Sequence, residues 1–121
     1  MSTSGVWNPT IDMGADWLRV LSVKDASGQV VVYQAPAYME IRDGLFPTSP
    51  LVARLDNTGS ADGSITFNAL AGTVILTMSD EETRTLKPGK FYYDLFVTGS
   101  GGLSVKLVYG QVTIRQNTST P

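Results

Sequence analysis

The chain has 121 residues, 42% of them hydrophobic and 17% charged, with a formal net charge of -2. That suits one domain with a real core, and it lacks the clustered basic charge a nucleic-acid binder needs. There is no Cys and no His, which excludes disulfides, thiolate or imidazole metal sites, Ser-His or Cys nucleophiles and a His proton switch.

Residues 1–13 carry polar residues, Pro9 and one large ring, Trp7, and read as an extended arm. The opening M-S-T-S-G-V-W-N-P has no basic run followed by an apolar one, so no signal peptide is expected. No apolar stretch approaches the ~20 residues of a membrane helix. Synthesis in the cytoplasm, with no membrane partner, is the expectation.

From Asp16 to Lys24 the run W-L-R-V-L-S-V is rich in β-formers and predicts a strand. Asp25-Ala-Ser-Gly28 predicts a turn, and Val30 to Tyr33 a short partner strand that Pro36 ends. Ala37 to Arg42 alternates, with Ala37, Met39 and Ile41 on one face and Tyr38, Glu40 and Arg42 on the other. That period of two marks a half-buried strand. A loop with two prolines, Asp43 to Pro50, leads to a strand at Leu51–Leu55 and a turn-rich stretch, Asp56 to Asp62.

Ser64–Phe67 and Thr73–Met78 predict two further strands. At Ser79 the period changes. Ser79 with Glu82 three residues on is a capping box, Asp80 and Glu81 suit the positive end of a helix, and Lys87-Pro88-Gly89 stops it. One short helix near residues 80–86 follows. Helix initiation explains the acidic triplet, whose spacing is too tight for a calcium loop.

Lys90 to Thr98 is the clearest strand, with Phe91, Tyr93, Leu95 and Val97 on one face and Tyr92, Asp94 and Phe96 on the other. After the tip T-G-S-G-G, Ser104 to Arg115 returns with Val105, Leu107 and Tyr109 inward, and Val112 and Ile114 after a change of phase. That change predicts a β-bulge at Gly110–Gln111. The tail, residues 116–121, is polar. The domain proper is therefore 14–115: about eight strands with turn signals every eight to twelve residues, an antiparallel β-sandwich, with a jelly roll or small barrel as the structural alternative.

Chemistry is sparse. The carboxylate pairs Asp12 with Asp16 and Asp80 with Glu82, and Asp94 alone, sit in a loop, a helix cap and an outer strand face, where no cleft is evident. No cofactor, metal or catalytic residue is expected. The glycines of G-S-G-G join two strands and open no helix, so they form no phosphate loop. Trp17, Tyr38, Phe67, Phe91, Tyr93 and Tyr109 read as packing residues. The candidates for a protein interface are Trp7, with nothing local to bury it, and Tyr92 and Phe96, which share the outer face of their strand.

Taken in order, M-G-A-D-W-L-R-V-L-S-V-K-D-A-S-G-Q-V, A-Y-M-E-I-R-D, L-A-G-T-V-I-L-T-M-S-D-E-E-T-R-T-L-K-P-G-K-F-Y-Y-D-L-F-V-T and V-Y-G-Q-V-T-I-R resemble the small phage domain typified by the N-terminal module of the baseplate upper protein of tailed phages. The third block is the specific part. Val30 to Gln34 departs from the pattern, where relatives often carry a more polar turn. The resemblance implies an immunoglobulin-like sandwich in a virion that self-associates, often threefold, and attaches to other virion proteins. It brings no catalytic or ligand residues. A non-enzymatic connector of the tail, baseplate or fibre is expected. A capsid decoration protein is the alternative within that class, and a carbohydrate-binding module the alternative from another.

Overall fold

The computed structural model describes residues 5–24, 27–29, 31–59, 62–99 and 101–116. Its elements are β1 (Gly5–Val6), β2 (Thr10–Asp12), β3 (Trp17–Ser22), β4 (Gln34–Arg42), β5 (Leu51–Asp56), β6 (Gly63–Asn68), β7 (Thr73–Met78), α1 (Asp80–Arg84), β8 (Gly89–Thr98) and β9 (Ser104–Arg115). With 58% strand and 5% helix, the fold is all-β and sandwich-like, with one short helix.

The strands form one curled sheet in the order β1-β9-β8-β4-β5-β6-β7-β3, with β2 also on β9. β5 meets β6 over only two residue pairs, Leu55 with Gly63 and Asp56 with Ser64. At this corner the sheet folds back on itself. Gly63 sits there because a Cβ would stand 2.7 Å from both Leu55 Cγ and the Thr77 carbonyl oxygen. The two halves, β9-β8-β4-β5 and β6-β7-β3, then bury a single core. Met39, Ile41, Leu55, Leu95 and Val112 come from the first half, and Trp17, Ile65, Val74 and Leu76 from the second. Period-two alternation supplies these inward residues on every strand.

The sheet is mixed rather than purely antiparallel: β5 and β6 run parallel, as do β1 and β2 with β9. Pro36 does not end a strand. It lies inside β4, in the register shift between Gln34 and Tyr38, where a missing N–H removes no ladder bond. Residues 31–33 are not a strand. Asp25, Ala26 and Val30 lie outside the described residues; of the expected Asp25–Gly28 turn, Ser27 and Gly28 are described, with Gly28 at a positive φ of 85°. The bulge in β9 lies opposite Leu95/Phe96, where Leu95 pairs with Val108 and Phe96 with Lys106. It falls at Leu107–Val108, before Gly110–Gln111. Val108 takes the place opposite Leu95, and Tyr109 turns outward, 40% exposed.

The helix is the Ser79-capped turn the sequence announces: Glu82 N–H donates to Ser79 Oγ, and Ser79 N–H to Glu82 Oε1. Its place is set by Thr83, the one buried polar residue described. Thr83 Oγ1 donates to the Ala15 carbonyl at 2.8 Å and accepts from Gly14 N–H at 3.1 Å. Asp16 Oδ1 accepts from Asp80 N–H at 2.7 Å. Asp16 and Asp80 are thereby used in joining the helix to the turn before β3.

The two halves differ on their outer faces. On β6-β7-β3 the outward residues form three rows: Leu18–Thr77–Ser64, Val20–Ile75–Thr66 and Ser22–Thr73–Asn68. None is ionisable. On β9-β8-β4-β5 the outward residues include Lys106, Asp94, Glu40, Arg42 and Arg54, and they form the site described next.

Candidate functional site: an aromatic and charged groove

Across the outer face of β9-β8-β4 runs a groove of about 760 Å3, lined by Tyr38, Glu40, Arg42, Tyr92, Asp94, Phe96, Lys106 and Gln111, among others. Its floor follows from cross-strand register. Tyr38 lies opposite Phe96, Glu40 opposite Asp94, and Arg42 opposite Tyr92. Phe96 in turn faces Lys106, and Tyr92 faces Gln111.

Tyr38 and Phe96 stack with centroids 5.3 Å apart at 23°. The Arg54 guanidinium lies over Tyr38 at 4.9 Å and the Lys106 ammonium over Phe96 at 5.7 Å. A cation, two rings and a second cation thus cross the sheet in one line, each neighbour on a different strand. Such contacts add stability beyond area burial and hold the rings upright.

Glu40 and Asp94 are like charges placed directly opposite, an arrangement that costs free energy when uncompensated. Both are compensated. Glu40 accepts from Arg42 Nη2 at 2.9 Å and from Arg54 Nη1 at 2.6 Å, and Lys106 Nζ lies 3.6 Å from Asp94. Burial pushes the Glu40 carboxyl upward, but the hydrogen bonds and charges of Arg42 and Arg54 outweigh it, and its pKa lies below the usual value. Glu40 is therefore held ionised.

One wall is the 43–50 loop. Arg42 Nη1 donates to the Ser49 carbonyl at 2.8 Å, and Ser49 N–H closes a turn onto the Phe46 carbonyl at 2.9 Å. The turn holds Leu45 and Phe46 up at the rim, 76% and 73% exposed. The other wall is the start of the chain. Val6 pairs with Tyr109 in parallel, and Asn8 Oδ1 accepts from Gln111 N–H at 2.9 Å. Gly110 admits this crossing: a Cβ there would stand 2.5 Å from Asn8 Oδ1 and 2.6 Å from the Trp7 carbonyl oxygen.

No family model matches the chain, and no curated protein matches it.

Of the three interface candidates, the structure brings Tyr92 and Phe96 together in the groove, both half-buried. Trp7 is placed differently, and the expectation of an arm with nothing to bury that ring is corrected. Its ring stacks on Trp17 (6.4 Å, 22°) and meets Tyr93 edge-on (6.3 Å, 87°). The Tyr93 hydroxyl donates to the Trp7 carbonyl at 2.5 Å. Burial, then the charge of Asp94, raises the Tyr93 pKa, so that hydroxyl stays a donor. Residues 5–13 are thus part of the sheet, through β1 and β2 and the Asp12–Arg115 ion pair at 2.8 Å. Residues 1–4 and 117–121 lie outside the described residues.

Sequence reasoning missed Tyr38 (taken as a packing residue), Lys106 and the Leu45–Phe46 rim. The alternation of Ala37 to Arg42 was the available signal for Tyr38, Glu40 and Arg42 sharing a face. Which strand would lie beside them was not local information.

Proposed function

We propose that this chain is a non-enzymatic structural module of a bacteriophage particle, in the tail, baseplate or fibre apparatus, which associates with its own copies and docks another virion protein in the outer groove. The observation that carries the docking role is the composition of that groove. It has a preorganised floor of rings and arginines, net charge balanced among Glu40, Arg42, Asp94 and Lys106, and an exposed apolar rim at Leu45 and Phe46. Aromatic residues and Arg are the side chains that anchor protein interfaces. The resemblance of the four sequence blocks to the phage module supplies the particle.

The carboxylates favour a binding role over a catalytic one. A general acid needs a raised pKa near the working pH, whereas Glu40 is lowered and clamped by two guanidinium groups. The carbohydrate alternative needs flat ring faces open to solvent. Phe96 has Tyr38 on one side and Lys106 on the other strand side, which favours a protein partner.

Quantitative mass spectrometry of purified particles tests this reading. A few to a few dozen copies per particle is the expected result; hundreds of copies would make the chain a capsid decoration protein, and none would refute a virion role.

A further inference from the structure

We propose that the loop end of the outer groove, among Phe46, Tyr92 and Tyr109, seats a proline-rich segment of a neighbouring protein in the extended polyproline II form. The inference rests on the docking role given to the groove above and assigns the partner its chemistry. It starts from the rings that are still open. Tyr38 and Phe96 stack on each other and carry the Arg54 and Lys106 cations, so their faces are taken. Among the described residues no ring or cation covers Phe46 or Tyr92, and Tyr109 meets one cation, Lys106, at 5.6 Å. Phe46 is also 73% exposed.

The spacing of these rings suits such a segment. Tyr92 lies opposite Gln111, and Tyr109 is two residues from Gln111 on the same face, a diagonal of about 7–8 Å. A polyproline II chain turns once in three residues, about 9 Å. Prolines one turn apart therefore fall on either side of a ring such as Tyr92.

The polar groups point to the same occupant. The Tyr92 and Tyr109 hydroxyls and the Gln111 side-chain amide make no hydrogen bond to any described residue. The acceptors are engaged: Arg42 and Arg54 hold both oxygens of Glu40, and Asp94 lies against Lys106. The groove thus offers donors and ring faces, and it has little use for charge or for further N–H groups. Polyproline II is the complement, because its carbonyls have no internal partners and proline has no N–H. Aromatic-lined grooves take it for this reason and for its low entropy of ordering.

Other occupants fit less well. A helix keeps its carbonyls engaged within itself and would leave the donors of the groove unpaired. Strand addition has no edge to use here: β8 lies between β4 and β9, and β1 covers β9, with Trp7 N–H donating to the Tyr109 carbonyl at 3.0 Å. A sugar brings hydroxyl donors of its own, for which the clamped carboxylates leave few acceptors.

The probe is an end-blocked polyproline peptide of about nine residues, or three turns, titrated into the isotope-labelled full chain and followed by NMR. A Gly-Ser peptide of equal length is the control. Saturable shifts at Phe46, Tyr92, Tyr109 and Gln111 are expected with the first peptide and not with the second. Tyr92→Phe keeps the ring and deletes the hydroxyl; it should weaken binding about fivefold, the net worth of one hydrogen bond. Tyr92→Ala deletes both and should weaken it at least about tenfold. Leu70→Ala, on the exposed tip between β6 and β7, should change nothing. No saturation up to about 2 mM (a millimolar Kd being the floor of useful affinity), an equal response to the Gly-Ser peptide, or shifts away from the groove would each overturn the proposal.

Cross-linking in assembled particles separates this inference from the reading beneath it. With benzoylphenylalanine in place of Phe46, a cross-link to a proline-rich segment of another particle protein is the expected result. A cross-link to a segment without proline overturns the inference and leaves the groove a docking site. A chain built into particles that cross-links to nothing refutes docking as well. Particles without the chain refute the virion role, and the titration then decides on the seat alone.

Discussion

Replacing Thr83 by Val keeps the shape of the side chain and deletes one hydroxyl. That hydroxyl is fully buried, donates to the Ala15 carbonyl at 2.8 Å and accepts from Gly14 N–H at 3.1 Å. Removing it takes away two hydrogen bonds, worth about 1 kcal/mol each, and leaves two backbone groups to find other partners at up to ~1–3 kcal/mol each. Ala15 is exposed and Gly14 half-exposed, so water recovers much of the second cost. We therefore expect a loss of about 2 kcal/mol. For a chain of this size each kcal/mol moves Tm by roughly 3–5 °C, which gives a drop of about 6–10 °C. Urea denaturation at unchanged m-value measures the free energy directly. Thr83→Ser, which keeps Oγ and loses only a methyl, should cost less than half as much. A Val variant within 0.5 kcal/mol of wild type (about a third of what one such bond can contribute), or a Ser variant as damaging as Val, would show that packing rather than hydrogen bonding holds the helix to the β3 turn.

Trp7→Ala should cost about 2–3 kcal/mol in the isolated chain, since the half-buried ring loses its stack on Trp17 and its edge contact with Tyr93; chemical denaturation checks this, and a change near zero would return Trp7 to the role of a free anchor. Gly63→Ala should destabilise by more than about 2 kcal/mol, because the Thr77 carbonyl that a Cβ would strike at 2.7 Å is backbone and cannot turn aside. Stability should also fall in acid. Asp12, Glu40 and Asp56 all have lowered pKa values in the fold; their stabilisation is present above the ordinary values of 3.8 and 4.5 and is lost as pH falls through the lower folded ones. A Tm profile from pH 6 to pH 3 measures this, Glu40→Gln should flatten part of it, and a Tm that rises on acidification would contradict the sign.

The strongest local signals, the cap at Ser79 and the alternation of Phe91 to Val97, were read correctly, whereas the strand expected at Val30–Tyr33, its end at Pro36 and the bulge at Gly110–Gln111 were not. The helix begins at Ser79 because hydroxyl and carboxylate three residues apart can satisfy each other's amides, and Phe91, Tyr93, Leu95 and Val97 face inward because a strand alternates. Neither fact needs knowledge of a partner. Tyr109 was misplaced because an amphipathic ring suits either face, and the shift that turns it outward depends on Val108 lining up with Leu95 on another strand.

Local rules thus specified β3 to β9, most of their inward faces and the capped turn, and they named Tyr92 and Phe96 as neighbours. Tertiary structure alone placed Tyr38 against Phe96, laid the start of the chain along β9, curled the sheet at Gly63 and divided its outer surface into a charged groove and an uncharged plane. The reason is the range of the forces involved. Capping and alternation act within a few residues, whereas register and curvature depend on pairing between segments such as Trp7 and Tyr93, far apart in the chain and brought together only when the core closes.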